Sequence, residues 1–418
     1  MINAKRIKAA AYSMNVSMAV VGNLPPLLFI TFHKLYGISY SLLGLLVLVN
    51  FSTQLLVDLI FTFYSHRFNI ERTVKLTPVI TIAGLAVFTL WPTFFSGSAY
   101  LGLVVGTVIF SASSGLAEVL LNPVITALPS DNTERDLSML HSLYAWGAVG
   151  VVLFSSLYIL MFGTSGWQYL VLIMACIPLI SFFLYAGAEM PEIKTGSEGG
   201  FSASTLKSRQ LWLCAFAIFL GGALECTMAQ WCSGFTEIAL GLPKIYGDIF
   251  GVALFSFMLG MGRTLYTKYG RNIEKVLLLG VCASFVCYLT AALSGNAVVG
   301  LMACALTGLS ASMLWPGTII AVSERVPAGG VVMFALMAAG GDLGASVGPE
   351  LVGIITDLVS ANGRMLEFAS KLGMTGEQFG MKCGLLIGAL FALIAIPVYF
   401  ALYRTRKGSL EVTKSDNP

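Results

Sequence analysis

Twelve long apolar stretches, separated by short polar intervals, run from near residue 9 to near residue 403. They cover approximately 9–32, 41–64, 74–94, 100–128, 137–162, 167–188, 211–240, 249–266, 276–293, 298–322, 331–358 and 383–403. About 20 apolar residues carry a helix across a bilayer, and these stretches are of that order. Only 11% of the residues are charged and 57% are hydrophobic, against about a quarter charged in an ordinary soluble domain. Too little polar surface is available for a fold in water. Strands of a barrel would alternate apolar and polar residues, and the stretches do not. The fold class expected is an all-α membrane protein with twelve transmembrane helices, numbered here as spans one to twelve.

Charge placement predicts orientation. All but Lys34, Lys244, Arg364, Lys371 and Lys382 of the 24 Lys and Arg residues fall on the side that also carries both termini. By the positive-inside rule that side is cytoplasmic, which predicts a multi-pass protein of the cell inner membrane. Lys5, Arg6 and Lys8 before an apolar run resemble a signal peptide. No small-residue cleavage site followed by a soluble domain comes after them, so the run is read as an uncleaved first span. The net charge of +3 points to no nucleic-acid partner. The eight cysteines, Cys176, Cys214, Cys226, Cys232, Cys282, Cys287, Cys304 and Cys383, lie in or beside apolar runs and read as free thiols.

The twelve spans divide into two sets of six. Residues 191–210, rich in glycine and serine, read as a cytoplasmic linker between lobes 1–190 and 211–418. The sets also repeat. Asn69-Ile70-Glu71-Arg72 recurs as Asn272-Ile273-Glu274-Lys275, and Gly115-Leu116 with Pro123 recurs as Gly308-Leu309 with Pro316. Leu143-x-Ala145-x-Gly147 recurs as Leu336-x-Ala338-x-Gly340. Three matches in order predict a duplicated six-helix unit. Two such units around a central cavity are what alternating access requires.

Ionisable groups at bilayer depth are expensive and are functional candidates by default. Glu118 in span four, Glu225 in span seven and Asp342 in span eleven are predicted near the midplane from the rise of about 1.5 Å per residue. No intramembrane Lys or Arg is expected to balance them. Each acid fits a proton carrier; counter-charge for a cationic substrate, a sodium ligand, or a neutral carboxyl serving packing are the other readings. Asp58, nearer the inner surface of span two, reads as a gate partner for Arg67 or Arg72.

Pro25-Pro26 after Asn23 must break span one, and Asn15 adds a further amide there. Gln230, Trp231 and Trp315 are the residues expected to meet a polar solute, while Trp146 and Tyr144 read as packing. His141, at the inner end of span five, reads as a capping or gating residue. Phosphate-loop and zinc-protease motifs are absent, and Gly344-x-Ser346-x-Gly348 lacks the context of a hydrolase elbow. An enzyme is not expected, nor is a cofactor or a metal site.

Span four reads Gly115-Leu116-Ala117-Glu118-Val119-Leu120-Leu121-Asn122-Pro123, and span five opens His141-Ser142-Leu143-Tyr144-Ala145-Trp146-Gly147-Ala148. With Gly262-Arg263, Lys275-Val276-Leu277 and Trp315-Pro316, these strings resemble the major facilitator superfamily, and within it the fucose permease-like sugar–proton symporters. The resemblance implies that Glu118 couples transport to protons and that Asn122 is a cavity amide. It also places Arg263 in the second half's inner-loop signature, with a gating role. The branch's span-one aspartate, three residues after an asparagine, is replaced here by Pro26 after Asn23. Glu225 is the expected substitute, with Asp342 the third coupling acid. The function implied is proton-coupled uptake of a small polar solute such as a sugar, with sodium as the other coupling ion. Asn122, Gln230, Trp231, Trp315, Asn15 and Asn23 are the expected substrate contacts. Proton-antiport efflux of a hydrophobic or cationic compound is the alternative, and a monomer in the lipid bilayer is the expected assembly.

Overall fold

The computed structural model describes residues 3–64, 67–130, 133–191, 207–326 and 330–415. Among them eleven helices are long and apolar enough to cross a membrane, and no strand occurs. A twelfth span is a broken pair, Ala4–Leu27 and Phe29–Tyr36, bent by 47°. Pro25 and Pro26 lack the amide protons that would meet the carbonyls four residues earlier, so the ladder fails where the bend follows. The Leu28 amide falls back on the Pro25 carbonyl at 3.0 Å. Residues 192–206, most of the expected linker, lie outside the described set, as does His66 of the first inner loop.

The chain forms two compact units, Met1–Glu198 and Gly199–Pro418. In the first, span two is Tyr40–Tyr64, span three Ile70–Phe94, span four Ala99–Ala127 and span five Thr133–Phe162. Span six is interrupted, Trp167–Met174 and Cys176–Tyr185. In the second unit span seven is Arg209–Ile238, and span eight runs from a π-helical turn, Gly247–Ala253, into Leu254–Tyr269. Span nine is Ile273–Leu293 and span ten the pair Ala297–Ala311 and Leu314–Arg325. Spans eleven and twelve are Gly330–Ala361 and Gly376–Ser415.

The internal repeat is visible in packing as well as in residues. Within the first unit span one packs on five, two on four, and three on four; within the second, seven packs on eleven, eight on ten, and nine on ten. The repeated Asn-Ile-Glu string is a helix start in both places. Asn69 Oδ1 accepts the Arg72 amide and Asn272 Oδ1 the Lys275 amide, each at 3.0 Å. The glutamates that follow sit in the first turn, where the helix dipole favours negative charge. The repeated Leu-x-Ala-x-Gly string is a helix crossing. A methyl on Gly147 would fall 3.1 Å from Ala19 Cβ and 3.3 Å from Val16 Cγ1. One on Gly340 would fall 3.0 Å from Ala215 O and 3.1 Å from Ile218 Cγ2. Each glycine thus meets two residues three apart on the neighbouring span, which lets the backbones approach closely without a polar contact.

Candidate functional site

In the first unit the polar groups gather between spans two and four. Glu118 is exposed although it lies within an apolar span. Asp58 faces it from span two, near enough for the two charges to interact. The closeness depends on Gly115: a methyl there would stand 3.1 Å from Asp58 Oδ1 and 3.1 Å from Gln54 O. Two turns or so further along, Asn50 Oδ1 accepts from Gln54 Nε2 at 3.1 Å and from Ser111 Oγ at 2.5 Å. Asp58 Oδ1 and Asn122 Oδ1 are buried atoms without a hydrogen-bond partner among the described residues. Asn122 lies one helical turn beyond Glu118, so the acid and the amide share one face of span four.

This arrangement corrects the reading of Asp58 as a partner for Arg67 or Arg72. Arg67 instead lies over the Tyr64 ring, 5.5 Å from its centroid. Arg72 is exposed, its amide engaged in the cap by Asn69. Asn15 is a helix-to-helix tie, its Nδ2 donating to the Leu140 carbonyl at 2.5 Å, and Asn23 Nδ2 donates to Ala19 O at 2.8 Å. The His141 side chain lies outside the described residues. Trp146 is 63% exposed and lines an apolar cavity of about 470 Å³ with Val16, Leu143, Phe154, Ile173 and Ile177. None of the acids borders that cavity.

In the second unit the sequence expectation that no base balances the acids is overturned. Arg263 Nη2 lies 3.0 Å from Glu225 Oε1 and 3.3 Å from Oε2. Arg263 starts near one end of span eight, and its long side chain carries the charge inward, which a count of residues from the helix end does not anticipate. Its Nε also donates to the Ser312 carbonyl at 3.0 Å. That carbonyl is four residues before Pro316, which has no amide proton to offer it. The Trp-Pro pair in span ten therefore creates the acceptor that Arg263 fills. Cys226 lies within electrostatic reach of Glu225, Asp342 and Arg263, which draws span eleven into the same cluster.

The aromatic candidates separate. The Trp315 indole packs closely on glycine: a methyl on Gly341 would stand 2.5 Å from its Cζ2, and one on Gly222 3.1 Å from Cζ3. Trp315 remains half-buried. Trp231 is fully buried, and its Nε1 donates to the Pro349 carbonyl at 2.8 Å. It has no face open to a solute, contrary to the expectation that it would sit beside one. Gln230 is 8% exposed.

One charged group escaped the sequence reading. Asp248 is fully buried, bonded by Ser233 Oγ and paired with Lys244 Nζ at 3.1 Å. The i, i+4 spacing of Lys244 and Asp248 was a legible signal; their burial beside a π-helical turn was not. All eight cysteines are free thiols. Among the described residues no group of three or more His, Cys, Asp or Glu side chains is placed to hold a metal ion.

The family model of the Major Facilitator Superfamily matches residues 10–349. The chain belongs to the Major Facilitator Superfamily. It is thus a multi-pass membrane protein and a secondary transporter of small molecules. Several solved structures share the fold. The nucleoside transporter NupG superposes with a TM-score of 0.73 at 13% identity, over 96% of this chain and 99% of that one. A bacterial homologue of the human lysosomal transporter Spinster, inward-facing and occupied, gives 0.72 at 13%, over 96% of each chain. The Escherichia coli fucose:proton symporter FucP gives 0.56 at 17%, over 93% of this chain and 98% of that one. At such identities the likeness establishes the fold alone, and it extends beyond the fucose permease-like branch. No curated protein matches the chain by sequence.

Proposed function

We propose that this transporter couples proton movement to uptake of a small, hydroxyl-rich solute such as a sugar, by alternating access. One observation carries the reading: Glu118 is an exposed acidic residue inside an apolar span, with Asn122 on the same helix face. A carboxylate does not face lipid at that depth without large cost, so an exposed one marks a path for water, ions or solute. The neighbouring Asp58 sets a second carboxyl beside it, from span two. A proton-loaded acid permits the conformational switch, and its release on the other side discharges the cycle. The fold relatives, a fucose:proton symporter and a nucleoside transporter among them, are compatible with a neutral solute. No specific observation favours efflux of a lipophilic cation.

In this reading Glu118 carries the proton, and Asn122 and Trp315 offer the solute an amide and an aromatic face. Gln230 supplies a second amide, and Asp342 with Glu225 forms the charged part of the second unit's contribution. The test is uptake of a labelled monosaccharide panel into proteoliposomes, with and without an inward proton gradient. Gradient-stimulated uptake of one sugar, abolished in Glu118→Gln, is the expected result. Uptake that is equally gradient-driven in Glu118→Gln removes the proton from this residue. No sugar uptake under any gradient sinks the solute assignment.

A further inference from the structure

The guanidinium of Arg263 makes two unlike contacts at once. Nη2 meets the Glu225 carboxylate on span seven, and Nε meets the Ser312 carbonyl at the break in span ten. Span ten stops as Ala297–Ala311 and resumes as Leu314–Arg325, and Ser312 lies in the gap. Trp315 is three residues on from Ser312, with its indole against Gly341 and Gly222. We propose that Arg263 is a positioning residue that couples the charge on Glu225 to the setting of the span-ten break, and through it to Trp315.

The physical case rests on the fork geometry of arginine. A planar guanidinium presents several donors in fixed directions, so it can hold a carboxylate and a carbonyl simultaneously; a lysine ammonium, a point charge, holds such a pair poorly. While Glu225 is ionised, the charge-assisted bonds at Nη2 fix the plane of the guanidinium, and that plane fixes where Nε can donate. Neutralising Glu225 weakens the Nη2 contacts and leaves the guanidinium free to turn. The Ser312 carbonyl then loses its aligned donor, because Pro316 cannot replace it. The charged group that acts on Glu225 is Arg263 from span eight; Cys226, next to it on span seven, is within reach of Glu225, of Arg263 and of Asp342 from span eleven. Tyr288 from span nine is engaged nearby, donating to Leu224 O at 2.6 Å. Of these, Arg263 also reaches the break, through its Nε bond to the Ser312 carbonyl. Use of this tie during transport rests on the proton-coupled reading above, whereas the tie itself does not.

The experiment is a mutant cycle on Glu225→Gln and Pro316→Ala, read as reversible unfolding in mixed micelles and needing no solute. Alanine at 316 restores an amide proton to the Ser312 carbonyl and makes the Arg263 donor redundant. The two substitutions are expected to be non-additive by about threefold or more in the unfolding equilibrium. In an Arg263→Gln background they become additive; should that variant not fold, Arg263→Lys serves, since one ammonium cannot hold both acceptors. Repeated across pH, the coupling is expected at pH 8 and lost at the acid end, where the wild-type carboxyl takes the neutral form that glutamine mimics. Additivity with Arg263 present, or coupling that survives its removal or is flat with pH, overturns the proposal. In proteoliposomes that take up a monosaccharide, Pro316→Ala should lower Vmax more than it alters KM, and an unchanged Vmax would separate the tie from transport. Absence of monosaccharide uptake by the wild type bears on the solute reading, and the unfolding cycle still decides this one.

Discussion

Arg325 Nη2 lies 3.0 Å from Glu274 Oε1, and the two side chains are 11% and 1% exposed. The same arginine donates to Gln210 Oε1 at 3.2 Å, Thr405 Oγ1 at 2.7 Å and Leu402 O at 2.7 Å. One guanidinium therefore ties one end of each of spans seven, nine, ten and twelve. Removing one partner of a buried pair leaves the other charge without compensation, at a cost of about 3–5 kcal/mol. Arg325→Ala is expected to lose stability on that scale in a detergent unfolding titration. Arg325→Met with Glu274→Leu should recover most of it, because neither charge then remains to be solvated. A single substitution that unfolds like wild type would remove this knot from the account of the second unit.

Span seven and span eleven touch through backbone at Gly344. A methyl there would stand 1.9 Å from the Phe219 carbonyl oxygen and 2.9 Å from the Ala223 amide. Backbone cannot rotate aside as a side chain can, so Gly344→Ala must push the helices apart, costing about 1–3 kcal/mol or more. Gly150 has nothing within 4 Å of the same added methyl. Gly150→Ala should leave the melting temperature unchanged or slightly raised, since alanine is the better helix former. Equal effects at the two positions, measured by thermal unfolding in one detergent, would contradict the close crossing.

Near the ends of spans one and five, outside the expected bilayer, Lys8 Nζ and Ser130 Oγ both meet Asp136 Oδ2. The bonds from Lys8 and Ser130 and the Lys8 charge hold the Asp136 carboxyl below its ordinary value of 3.8. A group with a depressed folded value stabilises the protein above its unfolded value and loses that contribution as pH falls through the folded one. The stability gap between wild type and Asp136→Asn should therefore be constant from neutrality down to about pH 4 and shrink below it. Unfolding titrations at pH 7, 5 and 3 measure it. A gap that widens on acidification would reverse the sign of the interaction.

The parts of this structure that residues alone announced are those set by short-range or averaged chemistry. Span number follows from hydropathy, and the bend of span one follows from two prolines that lack amide protons. Asn69 and Asn272 read as helix starts because a capping amide needs only its own next three residues. What stayed hidden depends on which face of an apolar helix turns where. A soluble helix marks its buried side by an apolar stripe, but in these spans both sides are apolar, so Trp231 and Trp315 look alike in sequence. Arg263 reads as a loop residue because its Cα is near a loop, while its guanidinium bonds Glu225. Along the chain the nearest bases to Asp58 are Arg67 and Arg72, whereas Gly115 allows span four to bring Glu118 alongside it. Only the helix-to-helix register decides such pairings, and a single sequence does not carry it.

The separation of the two tryptophans yields the sharpest test of the proposed solute face. Trp231 is enclosed, so Trp231→Phe should lose the bond to the Pro349 carbonyl, at about 0.5–1.5 kcal/mol of stability, and leave KM unchanged. Trp315 is half-buried and lies on glycines, so Trp315→Phe keeps a ring in the same slot while Trp315→Ala removes it. Aromatic contacts contribute about 0.5–1.5 kcal/mol beyond the area they bury, or roughly two- to tenfold in affinity. KM for the transported solute should thus rise by about that factor in Trp315→Ala and much less in Trp315→Phe. Melting temperatures of both variants separate loss of the indole's packing on Gly341 and Gly222 from loss of a solute contact. If Trp231→Phe raises KM and Trp315→Ala does not, the two roles are exchanged, and the solute reaches the second unit by a path that opens the Trp231–Pro349 contact.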